Sequence, residues 1–311
     1  TTLEQTQTYP TIRPTLDLNF AATKTLDRRI TFTRDGVGTY TDELGIIKYA
    51  SNNVPRFDHD PITGESLGLL IEESRTNQHH YYDFSSGWSF NNISFAAGIS
   101  DPAGGTNARN LLVGTNGISA FITDNTQLTS GTNYTQSFWT KRDPNSAYFV
   151  IQICPSTGFT SAYRNFDLST GTLGSGDIAG NIVAYPNGWY RCSVTAQCTS
   201  SGSGRMAIAI VDSATSGRLD DCTIGTPDQD GVYIWGAQIE EGLFATSIIP
   251  TSGTTVTRGA DNAGIKGTNF TDFYNQTEGT LVSENMGAGD AAVSPYIALL
   301  SDGTNSERII L

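Results

Sequence analysis

The sequence predicts an all-β protein that consists of a small N-terminal β module, a jelly-roll β-sandwich and the start of a second β-sandwich. Three observations predict this fold class. Thr, Ser and Asn are abundant beside 33 glycines in 311 residues, which suits short strands joined by turns. Apolar residues alternate with polar ones in short runs, and no long helical period occurs. Only 16% of the residues are charged, while 14 Phe, 13 Tyr and 4 Trp suffice to fill a core.

The chain begins with a polar, Thr-rich arm, residues 1–14, which cannot be a helix because it carries two prolines. We expect this arm to lack internal structure and to order when it docks onto a partner. The residues expected to dock are Tyr9, Pro10, Ile12 and Pro14.

The small β module is predicted over residues 15–75. Segments 16–21 and 29–34 alternate apolar and polar side chains, as strands with one buried face do. A hairpin follows, and the sequence Asp-Glu-Leu-Gly at 42–45 supplies its turn.

An acidic cluster with an imidazole, Asp58-His59-Asp60, has two interpretations: a metal or catalytic site, or the rim of a turn. In an extended chain, neighbouring side chains point to opposite faces, so these three cannot converge on one metal without a bend. Asp60 precedes Pro61, and its carboxylate is suited to accept hydrogen bonds from backbone N–H groups two residues on. We therefore predict the rim of a hairpin turn.

The jelly roll is predicted over residues 76–243, because about eight strand patterns recur there at short intervals between turn signals. Residues 244–267 are rich in Thr, Ser and Gly and are predicted to be a linker. Residues 268–311 are predicted to begin another β domain, with a strand in their opening part. They stop inside an apolar β pattern, so we expect a longer protein.

Charge and cysteine usage exclude several classes of function. The net charge is −13 and no Lys/Arg cluster interrupts it, which argues against nucleic-acid binding. No apolar run is long enough to span a membrane, and no signal peptide opens the chain. No cysteine pair has the C-x-x-C spacing of a zinc or redox site, so free, half-buried thiols in a reducing cytoplasm are predicted, with one disulfide as the alternative. The cysteines are Cys154, Cys192, Cys198 and Cys222.

Catalytic residues are not predicted. Glycan hydrolysis requires two carboxylates about 5–9 Å apart, but the adjacent acidic pairs lie in strand patterns that send neighbours to opposite faces. These pairs are Glu72–Glu73, Asp220–Asp221 and Glu240–Glu241. No G-x-S-x-G motif or phosphate-binding glycine loop occurs. His79-His80 is expected to be an ordinary junction, with a metal or pH-sensitive site as the alternative.

A glycan-binding face is predicted on the strand around residue 150. Alternation assigns Tyr148 and Gln152 to an open face there, with Tyr163 nearby. The tryptophans in apolar strand patterns are instead expected to be core: Trp139, Trp189 and Trp235. Trp88 stays undecided between the two roles.

No cofactor is expected, and a structural calcium ion is the alternative. Jelly rolls hold calcium through carboxylates and backbone carbonyls, and three acidic loops could supply such ligands. These loops are residues 124–126, 212–222 and 226–231. The sequence does not choose among them.

Residues 16–77 resemble the N-terminal module of phage tail-fibre and head-fibre proteins. The resemblance lies in the strand pair, in VPRFDHDP, in GLLIEE and in the closing RTN. The following region, with NGWYR and YIWGAQIEEG before SIIPTSGTTVTR, resembles a carbohydrate-binding-module-like jelly roll, and EGTLVSENM is similar to the start of a concanavalin-like domain. The resemblance extends to about residue 285.

This resemblance implies a virion structural protein, a homotrimeric tail or head fibre or spike. It would assemble in the bacterial cytoplasm, dock by its arm onto tail or capsid proteins, and face host surface glycans. It implies no catalytic residues. Two alternatives remain: a carbohydrate-binding module of a secreted bacterial glycan-active protein, and a depolymerase spike whose catalytic part follows residue 311.

Overall fold

Strands make up most of the regular structure in a computed structural model, which describes residues 14–223, 228–284, 299–301 and 308–310. Within those ranges the α-helices are one turn each, α1 (Phe20–Thr23) and α2 (Thr268–Thr271). Among the described residues, no helix has the length and hydropathy needed to cross a membrane. The predicted all-β class is confirmed.

The small module contains six short strands. They are β1 (Thr31–Thr33), β2 (Gly38–Thr41), β3 (Ile47–Ala50), β4 (Phe57–His59), β5 (Ser66–Leu69) and β6 (Arg75–Asn77). Strands β2 and β3 form the predicted hairpin, and β4 and β5 form a second one. The Asp42 carboxylate accepts hydrogen bonds from the N–H groups of Leu44 and Ile46, which closes the first turn.

The predicted strand at 16–21 is wrong. The side-chain oxygen of Asn19 accepts a hydrogen bond from the Ala22 N–H at 3.1 Å, which caps α1 and turns the chain out of an extended path. A local side-chain interaction thus overrides the two-residue alternation.

Fourteen strands lie in the sandwich region of the described part, twelve of them in its two main sheets and two in a separate pair. They are β7 (Ser89–Asn91), β8 (Ile93–Ile99), β9 (Ala108–Val113), β10 (Ala120–Thr123), β11 (Thr126–Leu128), β12 (Asn133–Arg142), β13 (Val150–Pro155), β14 (Arg164–Asp167), β15 (Thr172–Gly176), β16 (Gly180–Ala184), β17 (Trp189–Gln197), β18 (Gly202–Gly204), β19 (Met206–Val211) and β20 (Gly231–Glu241). A 3₁₀ turn at Pro186–Gly188 separates β16 from β17.

Two six-stranded sheets build the sandwich, and all their pairings are antiparallel. The first, sheet I, has the strand order β15-β14-β13-β19-β10-β7, and the second, sheet II, has the order β16-β17-β12-β20-β9-β8. Apolar side chains of both sheets fill the space between them. They include Leu111, Ile122, Phe138, Ile151, Ile153, Phe166, Val194, Ile208, Ile210, Val232, Ile234 and Ile239. Each such burial contributes roughly 1.5–3 kcal/mol, so this layer is the main source of stability.

The segment after the sandwich returns to the small module. Strand β21 (Val256–Arg258) pairs with β6, and β22 (Asn262–Gly264) pairs with β1. Ile248 and Ile249 are buried. The predicted linker over 244–267 is therefore wrong, because its backbone is paired in sheets and its apolar side chains are packed. The sandwich is an insertion within a module that both flanking segments build.

Residues beyond the return segment contain little regular structure in their described part. Helix α2 occupies the position where a strand was predicted to open the last domain, and residues 272–284 contain no strand. Farther on, β23 (Leu299–Ser301) pairs with β24 (Arg308–Ile310). The concanavalin-like domain over 268–311 stays a prediction.

Candidate functional site

The outer face of sheet II is aromatic, and the small module covers it. Trp139 of β12 and Trp235 of β20 pack edge to face, with ring centroids 5.4 Å apart. Arg191 of β17 lies over the Trp139 ring at 4.4 Å. Ile47 of the module and Ile248 of the return segment pack into the same cluster. The tryptophans are therefore core, as predicted, and they are not available to a ligand.

A buried charge network joins the module to the return segment. Three arginines, Arg34, Arg56 and Arg258, are at most 1% exposed. Arg56 Nη1 and Arg258 Nη1 both contact Glu72 Oε2, at 2.7 and 2.9 Å. Asp261 binds Arg34 Nη1 at 3.2 Å and also binds Arg56 Nη2. Residues almost 230 positions apart in sequence therefore meet in one cluster.

Glu72 and Glu240 lie in this region with opposite pKa shifts. Burial alone would raise the pKa of Glu72, but the cationic Arg258 and Arg56 hold it below its usual range. Burial raises the pKa of Glu240, although Thr246 donates hydrogen bonds to it from both its N–H and its hydroxyl. Both carboxyl groups are held by hydrogen bonds or ion pairs within the protein.

The adjacent carboxylates diverge, although only Glu240 and Glu241 lie in a strand, because β5 ends at Leu69 before Glu72. Glu72 is directed into the charge network, while the side chain of Glu73 is 49% exposed beside Arg75. Likewise Glu240 is buried, whereas Glu241 is exposed. Neither pair can flank one glycosidic bond.

The predicted glycan-binding residues do not lie on an open face. Tyr148 is 3% exposed within the core between the sheets, and burial raises its pKa. Gln152 is fully buried: its Nε2 donates to the Gly217 carbonyl and its Oε1 accepts from the Leu219 N–H. The loop at 212–222 thus covers the outer face of β13, which the alternation of β13 cannot reveal. Tyr163 is half-buried near that loop.

The acidic loops use their carboxylates within the protein. Asp124 accepts a hydrogen bond from His79 at 2.9 Å, and Asp212 accepts from the Thr223 N–H. In the described part of the chain, no three His, Cys, Asp or Glu side chains form a metal-binding group. Thr226 and Pro227 of the third loop lie outside the described residues. The calcium ion stays a prediction.

Other sequence predictions have clear outcomes. His79 packs on Trp88 with ring centroids 4.7 Å apart, and Trp88 is 6% exposed, which makes it core. All four cysteines are free, but they are buried and not half-buried. Of the docking residues, Tyr9, Pro10 and Ile12 lie outside the described residues, while Pro14 is exposed.

The Asp58-His59-Asp60 cluster is the rim of a turn, as predicted. Asp58 Oδ1 accepts from the Thr41 N–H of the neighbouring strand, and Asp60 Oδ1 accepts from the N–H groups of Ile62 and Thr63. His59 is 6% exposed, and its Nδ1 lies 3.1 Å from the Thr41 carbonyl oxygen, while the strand register shifts between Asp58 and His59.

His59 instead forms part of the floor of a cleft between β2 and β4. Tyr40 comes from β2, Phe57 and His59 come from β4, and all three side chains line the cleft. The cleft has a volume of about 280 Å³. We call it the module cleft.

Charged side chains form the rim of the module cleft. Lys24 Nζ lies 3.2 Å from Glu43 Oε2, and Lys48 Nζ lies 3.3 Å from Asp42 Oδ2. Burial opposes ionisation of Asp42, but hydrogen bonds from the Ile46 and Leu44 N–H groups and from Lys48 lower its pKa. Leu44 and Pro55 complete the lining. Alternation along β2 and β4 alone could not have identified these residues, because the rim comes from other segments and the register of β4 shifts between Asp58 and His59.

Comparisons with known proteins reveal only distant likenesses. No family model and no curated protein matches the chain. Among solved structures, the xylan-binding domain CBM22-1 of Paenibacillus barcinonensis Xyn10C shares 10% identity at a TM-score of 0.32, covering 57% of this chain and 97% of that one. TmCBM61 in complex with β-1,4-galactotriose shares 14% sequence identity at a TM-score of 0.33. That match covers 53% of this chain and 99% of TmCBM61. The enzymatically active domain of bacteriophage CBA120 tailspike protein 4 shares 12% sequence identity at a TM-score of 0.31. That match covers 53% of this chain and 21% of the tailspike chain. Scores this low carry no information on what this chain binds.

Proposed function

We propose that this protein is a structural component of a virion appendage, a tail or head fibre or spike. In this proposal the N-terminal arm docks onto a tail or capsid protein, and the β-sandwich projects toward the host surface. The protein forms a homotrimer and has no catalytic role.

One observation carries this proposal: the small module occupies the aromatic outer face of sheet II. A sandwich that binds sugars by such a face needs exposed rings, but Trp139 and Trp235 are 2% and 0% exposed. The module is held there by buried ion pairs and by the return segment. The aromatic face therefore holds the small module and the sandwich rigidly together, as a fibre or spike requires.

The covered catalytic candidates support the non-enzymatic part of the proposal. Within the described residues, Glu72 and Glu240 are enclosed by protein hydrogen bonds, and His79 is paired with Asp124. Each of these side chains has a structural partner and is closed to a substrate. A general acid or base needs to reach a reacting group directly or through one water.

The oligomeric state tests the proposal. We expect light scattering to give three times the chain mass of 33.3 kDa, because fibres are closed cyclic oligomers. Removal of residues 1–14 should leave the trimer intact, since the arm is assigned to docking. A monomer with and without the arm would contradict the fibre proposal.

A further inference from the structure

We propose that the module cleft is a binding site for one neutral pyranose ring, such as the terminal sugar of a surface glycan. This site lies on the small module and not on the sandwich, and it is independent of the virion role. Its volume of about 280 Å³ is close to the lower limit of about 300 Å³ for small-ligand pockets. The cleft therefore fits a single sugar ring better than an oligosaccharide.

The floor of the cleft has the chemistry that a pyranose needs. A sugar ring presents a face of C–H groups, which packs against an aromatic side chain. Tyr40 and Phe57 are half-buried, so their rings are fixed while part of each stays open. The Tyr40 hydroxyl makes no hydrogen bond to any described residue, which leaves it free to donate to or accept from a sugar hydroxyl.

His59 lines the cleft but is not expected to form a hydrogen bond with the sugar. Its Nδ1 lies 3.1 Å from the Thr41 carbonyl oxygen, which fixes the ring orientation when Nδ1 donates. Its Nε2 is enclosed and has no partner among the described residues. His59 is 6% exposed and lines the cleft together with Phe57.

The rim supplies hydrogen-bonding groups that a ligand can recruit at little cost. The side chains of Lys24 and Glu43 are 41% and 66% exposed, and an exposed pair of this kind contributes little stability. Lys24 and Glu43 can each give up this ion pair and form hydrogen bonds with sugar hydroxyls instead. Asp42 and Glu43 face the cleft together with Lys24, and the chain carries a net charge of −13. An anionic sugar is disfavoured by that charge, so the site is assigned to a neutral one.

Saturation-transfer NMR on the full chain with a panel of methyl pyranosides tests this site. The panel contains the glucosides, galactosides, mannosides and N-acetylglucosaminides in both anomers. We expect at least one to bind at millimolar concentration, and Tyr40→Leu to weaken it by about tenfold or more. Tyr49→Leu is the matched control, because Tyr49 is 48% exposed on β3 and pairs with Thr39, which places it on the opposite face. It should change binding by less than about twofold.

Glu43→Gln provides a second variant that keeps the fold, because its side chain is mostly exposed. We expect it to weaken the same sugar severalfold without changing the circular dichroism spectrum. If no pyranoside binds the wild-type chain, or if Tyr40→Leu and Tyr49→Leu bind equally well, the proposal is overturned. Neither result bears on the trimer mass, so the two proposals fail independently.

Discussion

The substitution Glu72→Gln tests the buried charge network, and Glu73→Gln is its matched control one residue away. Glu72 neutralises Arg56 and Arg258 at 2.7 and 2.9 Å and also accepts hydrogen bonds from Ser247. Without its charge, three buried arginines face Asp261 alone. Breaking a buried ion pair on one side costs about 3–5 kcal/mol. The Glu73 side chain is 49% exposed and contacts Arg75, and loss of such an exposed pair costs about 0–1 kcal/mol.

Urea unfolding measures both variants. We expect Glu72→Gln to lower the free energy of unfolding by about 3 kcal/mol or more, and Glu73→Gln by less than about 1 kcal/mol. Tryptophan fluorescence reports the interface that contains Trp139 and Trp235, while circular dichroism reports the sheets. The two signals should change together, because the network ties the module to the rest of the chain. Equal losses in the two variants, or a loss below 1 kcal/mol for Glu72→Gln, would refute the reasoning.

Three further predictions concern burial and backbone geometry. Burial raises the pKa of Glu240 above its ordinary value of 4.5. Between the pKa of the unfolded chain and the higher pKa of the folded protein, the folded state retains a proton that the unfolded chain loses. The free energy of unfolding therefore falls as pH rises between these two pKa values. Glu240→Gln should remove this fall in urea midpoints measured from about pH 5 to about pH 8; an unchanged profile would contradict the raised pKa. Gly45→Ala should lower Tm more than Gly98→Ala in calorimetry, because a Cβ at Gly45 would lie 2.3 Å from the Pro61 carbonyl oxygen while Gly98 has open space; equal effects would argue against this contact. The four thiols are buried, and burial raises the pKa of Cys154 to about 12. Ellman's reagent should label none of them before unfolding, and rapid labelling of the native chain would disprove their burial.

Local features of the fold could be predicted from the sequence because neighbouring residues determine them. The turn at Asp60 follows from an aspartate before a proline, and its carboxylate accepts the expected backbone N–H groups. The tryptophans in apolar strand patterns are also core: β12 and β20 are buried along nearly their whole length, and Trp189 of β17 is 4% exposed. Alternation failed at 16–21, where Asn19 caps a helical turn.

Long-range features could not be predicted, because the partners are far apart in sequence. Charged residues such as Arg34 and Asp261 are expected at the surface when each is considered alone. Only the return of the chain brings these two into contact. Gln152 seemed open because the loop that covers it follows some 60 residues later. The module cleft escaped prediction because its rings come from two strands and its rim from a third segment.

The location of the protein tests the central claim most directly. Antibodies raised against the purified chain can be applied with gold to phage particles released by the cells that encode it. Electron microscopy should show gold at fibres or spikes of the particles, as the proposed appendage role predicts. Unlabelled particles, with the protein found only in the culture medium, would contradict that role and favour a secreted carbohydrate-binding module.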